Sequence, residues 1–252
     1  MTQPSTRNEG EVAPADGTSD IVKMSDVRFR WPGPRSFSLA INDFILPARE
    51  RVLLTGPSGA GKSTFLSLLC GIVAPESGHL EVLGTDTAKL SNAARDHFRA
   101  EHFGIIFQMF NLLPYGSIID NVLLPLNFTA KRRERASQKG SIEEEALRLL
   151  ASLGLETEDL HGMSTASLSV GQQQRVAAAR ALIGRPEIIV ADEPTSSLDR
   201  DRQDAFLDLL FAEATEAGAS VIMVSHEETL GSHFDRVLRL EDIAVATRSA
   251  AA

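Results

Sequence analysis

The chain has 252 residues, 43% of them hydrophobic and 23% charged, with a formal net charge of −9 and a single cysteine. A chain of this length buries a sizeable core without metals, and Cys70 alone forms no internal disulfide, which suits a reducing, intracellular setting. The acidic balance argues against general nucleic-acid binding, and no apolar run reaches the roughly 18–20 residues a membrane-spanning helix requires.

The first twenty residues, MTQPSTRNEGEVAPADGTSD, are polar and lack the apolar stretch of a signal peptide, so they read as a disordered tail. Strand patterns follow at DIVKMSDVRFRW, FSLAINDFIL and RVLLT, the last running into a glycine-rich loop and a helix from Lys62 to Cys70. Cys70 lies among apolar residues and reads as a buried thiol. A short strand HLEVLG, a helix beginning near Asn92 and the strand GIIFQ come next. From Met109 the pattern changes. FNLLPYGSIIDNVLLPLNF is apolar and broken by Pro114, Gly116 and Pro125, and the basic run KRRER (131–135) reads as a solvated helix face. SIEEEALRLLASLGL then shows Ser141 as an N-cap with acids in the first turn. This block reads as a helical subdomain inserted in an α/β chain. The strand EIIVADEP, a helix over Asp201–Ala217, the strand SVIMVSH and a strand near RVLRL complete it, and residues 246–252 read as a flexible tail. Strands alternating with helices predict a largely parallel sheet covered on both faces.

The chemistry concentrates in a few stretches. Gly56, Pro57, Ser58, Gly59, Ala60, Gly61, Lys62 and Ser63 fit G-x-x-x-x-G-K-[ST] throughout, with Thr64 next. Glycines let successive backbone N–H groups converge on phosphate oxygens, and the following helix aims its positive end at the same anion. Lys62 would reach the β- and γ-phosphates and Ser63 would coordinate Mg²⁺. The apolar strand IIVADE delivers Asp192 to the carboxyl edge of the sheet as a second Mg²⁺ ligand, and Glu193 follows as a candidate to polarise water. Gln108 and His226 close two further strands at the same edge, completing a shell around a γ-phosphate. By contrast, LSVGQQQRVAAARAL (168–182) is distinctive yet holds no nucleophile, acid–base pair or metal ligand.

The order and spacing of Gly56–Ser63, Gln108, LSVGQ (168–172), VADEP (190–194), SLD (197–199) and His226 resemble those of the ATP-binding cassette ATPases, over about residues 21–245. The resemblance implies a phosphate-loop NTPase fold of mixed α/β class with an antiparallel β subdomain and a helical subdomain inserted at about 109–180. It also implies ATP and Mg²⁺ as ligands and a head-to-tail dimer in which each signature sequence completes the partner's site. On that resemblance Gln108 touches Mg²⁺ and senses the membrane partner, Glu193 is the catalytic carboxylate, and His226 contacts the γ-phosphate. Ser169, Gly171 and Gln172 face the nucleotide held by the other subunit, Asp199 crosses the dimer, and Trp31 stacks on adenine. Val170 replaces the usual signature glycine, Arg49 replaces a usual turn glycine, and LLPYGSIID lacks the common Leu-Thr pair.

FQMFNLLPYGSIIDNVLLPL is further similar to the branch serving lipoprotein release, macrolide efflux and glycolipid export, although amino-acid importers share much of the pattern. This resemblance implies a transmembrane permease partner, a location on the cytoplasmic face of the membrane, and a docking groove formed in part by Met109–Leu126. The alternatives are an amino-acid importer ATPase and a cell-division cassette that regulates cell-wall remodelling and moves no substrate.

Overall fold

The parallel and antiparallel strand patterns separate into two five-stranded sheets. The computed structural model describes residues 19–33, 36–155 and 165–248; the expected N-terminal tail lies outside the described residues up to residue 18. In β1 (Asp20–Arg30) and β2 (Phe37–Pro47), buried residues such as Val22, Met24, Leu39 and Ile41 alternate with outward ones, the period-two signature of a sheet covered on one face. With β4 (Ser77–Val82), β5 (Thr85–Asp86) and β10 (Ala244–Arg248) they form an antiparallel sheet ordered β10-β2-β1-β4-β5.

The second sheet is parallel throughout, ordered β6-β7-β8-β3-β9, from β3 (Arg51–Thr55), β6 (Phe103–Ile106), β7 (Ile188–Asp192), β8 (Ser220–Ser225) and β9 (Arg236–Arg239). Its central strands are near-continuous buried runs, as expected where both faces are covered. Alternate residues of β3 feed two cores. Leu53 joins Ile189, Val221 and Met223 beneath the helices, while Val52 and Leu54 join Ile188, Ile222 and Val224 toward the antiparallel sheet. Helix α1 (Lys62–Leu69) lends Phe65, Leu66, Leu68 and Leu69 to that second core.

The helical elements are α2 (Asn92–His102), α3 (Ile118–Leu123), α4 (Ala130–Ala136), α5 (Ile142–Ser152), α6 (Val170–Leu182), α7 (Arg200–Ala217) and the short α8 (Leu240–Ile243). Ser141 caps α5 in a reciprocal capping box with Glu144, as its sequence predicts. Asn121 pins the stretch after Gln108: its amide accepts from Leu113 N at 2.7 Å and donates to Leu113 O and Ser117 O.

Two expectations need correction. Of the expected tail, residues 246–248 are strand, with Ala246 opposite Leu39 and Arg248 opposite Phe37, and residues 249–252 lie outside the described residues. The edge of β2 offers unpaired backbone donors and acceptors that only another strand satisfies in full, a demand invisible in the weakly apolar segment AVATR. KRRER is a solvated face only in part: Lys131, Arg133 and Glu134 are exposed, but Arg132 and Arg135 turn into the protein. Arg132 is 1% exposed and donates to Ala100 O, Phe103 O, Arg180 O, Ala181 O and Ile183 O at 2.6–3.4 Å. Arg135 binds Glu187 and Glu101 O, and Lys131 pairs with Glu101. The terminal carbonyls of α2 and α6 converge there, and a guanidinium is the side chain with enough donors to satisfy them.

Candidate functional site

Four parallel strands, β3, β6, β7 and β8, end on one edge of their sheet, and the sequence places a polar residue or loop after each. After β3, residues 56–61 turn into α1. Gly61 precedes the helix at φ 107°, and a Cβ there would come within 2.8 Å of the Phe37 ring. No side chain caps α1, so its first-turn N–H groups remain open to an anion. Lys62 Nζ is held at the mouth of the loop, 2.7 Å from Gly56 O and 3.2 Å from Pro57 O.

The acids come from β7, whose first four residues are buried. Burial pushes the Asp192 carboxyl upward, opposed by a Ser63 hydrogen bond and by Lys62, while Glu193 adds to the rise. Glu193 has a φ of 45°, a left-handed conformation that costs a non-glycine residue on the order of 1 kcal/mol. Its backbone N–H donates to Val224 O at 2.9 Å. Its carboxylate then stands between Lys62 Nζ at 3.8 Å and His226 Nδ1 at 3.4 Å.

These groups surround a cleft of about 640 Å³ lined by Trp31, Ser58, Gly59, Gly61, Lys62, Ser63, Thr64, Gln108, Asp192 and Glu193, together with Phe37 and Arg248. Trp31 packs edge-on against Phe29, and its Nε1 donates to Thr64 Oγ1 at 3.1 Å, leaving the indole 40% exposed. The oxygen donors of Ser63, Gln108 and Asp192 share this cleft, a hard-ligand set of the kind Mg²⁺ takes alongside phosphate oxygens.

The other expected site residues lie elsewhere. Ser169 caps α6: its Oγ accepts from Gln172 N at 3.3 Å, and the Gln172 amide oxygen accepts from Ser169 N at 2.9 Å. Gln172 therefore closes the turn itself, and Arg175, three residues on, donates to Gly154 O within the same chain. Around this cap Val170 is 49% exposed and nothing lies within 4 Å of a Cβ placed on Gly171. Asp199 caps α7 by accepting from Arg202 N at 3.1 Å. None of Ser169, Gly171, Gln172 or Asp199 lines the chain's own cleft. His226 reaches it through Glu193 alone among the described contacts.

Phe37 and Arg248 line the cleft without having been singled out from the sequence. Each lies on a strand edge rather than in a motif, and their juxtaposition exists only once β10 pairs with β2.

A family model described as ABC transporter matches residues 39–196. The lipoprotein-releasing system ATP-binding protein LolD of Ruegeria sp. (strain TM1040) is 37% identical over 235 residues, covering 89% of this chain and all of that relative. The chain belongs to the ABC transporter family. It is the ATP-binding, ATP-hydrolysing cassette of such a transporter. A probable syringafactin export ATP-binding/permease protein, SyfD of Pseudomonas syringae pv. syringae (strain B728a), is 38% identical over 224 residues, but the cassette spans only 33% of that protein's length. Among solved structures, the ATP-binding cassette MJ0796 in a dimeric post-hydrolysis state bound to ADP and Pi superimposes with a TM-score of 0.75 at 31% identity, covering 92% of this chain and 99% of that one. Among the described residues no helix is long and apolar enough to cross a membrane.

Proposed function

We propose that this cassette works as a nucleotide-sandwich dimer that powers a separate membrane permease of the export type, moving lipoprotein, lipid, peptide or another hydrophobic compound. The observation that carries the reading is the placement of Ser169: the capped end of α6 points its free N–H groups outward, outside the cleft of its own chain. Such an end is an anion site in need of an anion, and a second copy's γ-phosphate meets that need.

Within the cleft, the loop N–H groups and Lys62 hold the phosphate chain, and the exposed indole face of Trp31 stacks on adenine. Ser63, Gln108 and Asp192 would hold Mg²⁺, which when bound neutralises phosphate charge. Glu193, set between Lys62 and His226, orients and polarises the attacking water, and His226 reaches the γ-phosphate. A groove of about 610 Å³ opens beside Gln108, lined by Phe103, Phe107, Leu124, Pro125 and Phe128 over Arg132 and Arg180. It suits a short amphipathic helix of a permease, and the exposed Met109, Tyr115 and Phe128 lie in the segments around it. The export direction and substrate class rest on the names of LolD and SyfD.

The test is the Glu193→Gln variant with Mg²⁺ and ATP. Steady-state hydrolysis falls by about 10²-fold or more, while ATP binding persists and light scattering shows a dimer that disperses when ATP is withdrawn. Unchanged hydrolysis removes Glu193 from its role, and a monomer at saturating ATP removes the sandwich.

A further inference from the structure

The last strand brings a cation to the nucleotide cleft. Arg248 is the final described residue of β10 and lies opposite Phe37 in the pairing with β2. This cross-strand pair leans on the phosphate loop at two points: the Phe37 ring lies against Gly61, and the Arg248 guanidinium lies over Gly59. Arg248 Nη2 donates to Gly59 O at 3.0 Å. Gly59 has φ +76°, and a Cβ there would meet the tip of the guanidinium, so a side chain at this position would shift the arginine. Arg248 lines the same cleft as Lys62, Asp192 and Glu193.

We propose that Arg248 is a phosphate ligand of the bound nucleotide, contributed to the loop by the C-terminal strand. The inference rests on the nucleotide reading of the cleft. Of the charged residues lining it, Asp192 and Glu193 are acidic and Lys62 and Arg248 basic. With Arg248 the two acids are matched by two cations, so the lining side chains add no net negative charge to that of the entering Mg²⁺-nucleotide. A guanidinium carries five N–H donors in a planar fork. Among the described residues only Gly59 O engages it, which fixes the group over the loop and leaves donors for a phosphate oxygen. Arg248 thus uses the loop's outward carbonyl as an anchor and the inward anion as its ligand.

Three variants of the full chain separate a charge on the nucleotide from a strut on the loop, with ATP and ADP affinities measured by calorimetry in Mg²⁺ buffer. Loss of one charge-assisted contact weakens binding about tenfold in Arg248→Ala. Arg248→Lys keeps the charge and stays within about threefold of wild type, and the gap between wild type and Arg248→Ala narrows as salt is raised. Arg248→Gln keeps a donor for Gly59 O but no charge, and it behaves as Arg248→Ala. Two results overturn the proposal: Arg248→Ala binding ATP within twofold of wild type, or Arg248→Gln restoring wild-type affinity. Circular dichroism and thermal melting matched to wild type confirm that β10 still pairs. A wild-type chain that fails to bind ATP sinks the nucleotide site and the proposal with it, whereas a binding wild type matched by Arg248→Ala sinks the proposal alone.

Discussion

Of the seven described non-glycine residues with positive φ, Glu193 and Arg49 hold that backbone for different reasons. Glu193 at φ 45° sits where its carboxylate meets both Lys62 and His226, strain of the kind that persists where function selects it. Arg49 at φ 65° lies in the turn before β3, where its backbone N–H donates to Ser220 Oγ and its side chain is exposed. Relief of about 1–2 kcal/mol of left-handed strain exceeds the added unfolded-state entropy of glycine, about 0.5–1 kcal/mol. Arg49→Gly is therefore expected to raise unfolding stability by up to about 1 kcal/mol, seen as a higher urea midpoint at unchanged slope; a lower midpoint would show that the arginine side chain matters. Cys70 is 3% exposed, and burial pushes its thiol up to about 12. At pH 8 it should resist iodoacetamide in the native chain and react once urea unfolds it. Alkylation at the unfolded rate under native conditions would contradict the burial. Cys70 and the phosphate-loop residues were legible in the sequence because local pattern decides them: an apolar neighbourhood for one, a fixed glycine spacing for the others. Arg248 was not, since nothing near it in sequence touches Gly59.

At the scale of elements, α6 is hydrogen-bonded to several of the segments that carry site residues. Its first turn is the Ser169 cap. Further along, Gln174 Nε2 donates to Pro194 O at 3.0 Å, just beyond Glu193, and Arg180 donates to Phe110 O and to Asn111 O, just beyond Gln108. Its last carbonyls are gathered by Arg132 of α4. One helix is thus bonded to the acid-bearing loop, to the segment after Gln108 and to the wall of the apolar groove. Arg132→Met is expected to cost about 3 kcal/mol or more, because several buried carbonyls at two helix ends lose their partner together. Urea unfolding of the variant measures it, and a loss below about 1 kcal/mol would mean that water replaces the guanidinium. Arg132→Lys should recover only part, since an ammonium has three donors and cannot span the set. The helices themselves follow from caps and periodicity in the sequence. The burial of Arg132 does not, because a basic run on a helix carries no sign of carbonyls arriving from two other helices.

At the scale of the whole molecule, the parallel sheet gathers Gln108, Asp192, Glu193 and the phosphate loop at one edge, while Ser169 and Asp199 stay outside that cleft. Half a site on each of two surfaces predicts a head-to-tail pair. In the Glu193→Gln background, Ser169→Arg should leave the ATP affinity of a single subunit within about threefold and abolish the ATP-driven dimer in light scattering. Because that change also removes a helix cap worth about 1 kcal/mol, Ser169→Asp provides the control: it keeps the cap, sets a negative charge against the partner's phosphate and should likewise stay monomeric. Dimers from Ser169→Asp at wild-type ATP concentrations would place the signature turn away from the phosphate.

By itself the sequence determined the loop, the acids after the apolar strand, the signature and the α/β alternation, since each depends on residues close together in the chain and on the backbone geometry they permit. Only the tertiary structure decided that AVATR is a strand, that Arg132 and Arg135 of KRRER are bound into the protein, and that Phe37 and Arg248 line the cleft beside Lys62 and Glu193. Those outcomes rest on backbone groups left unpaired at a sheet edge and at two helix ends. Such vacancies are properties of the assembled fold, filled by residues that are distant in the chain.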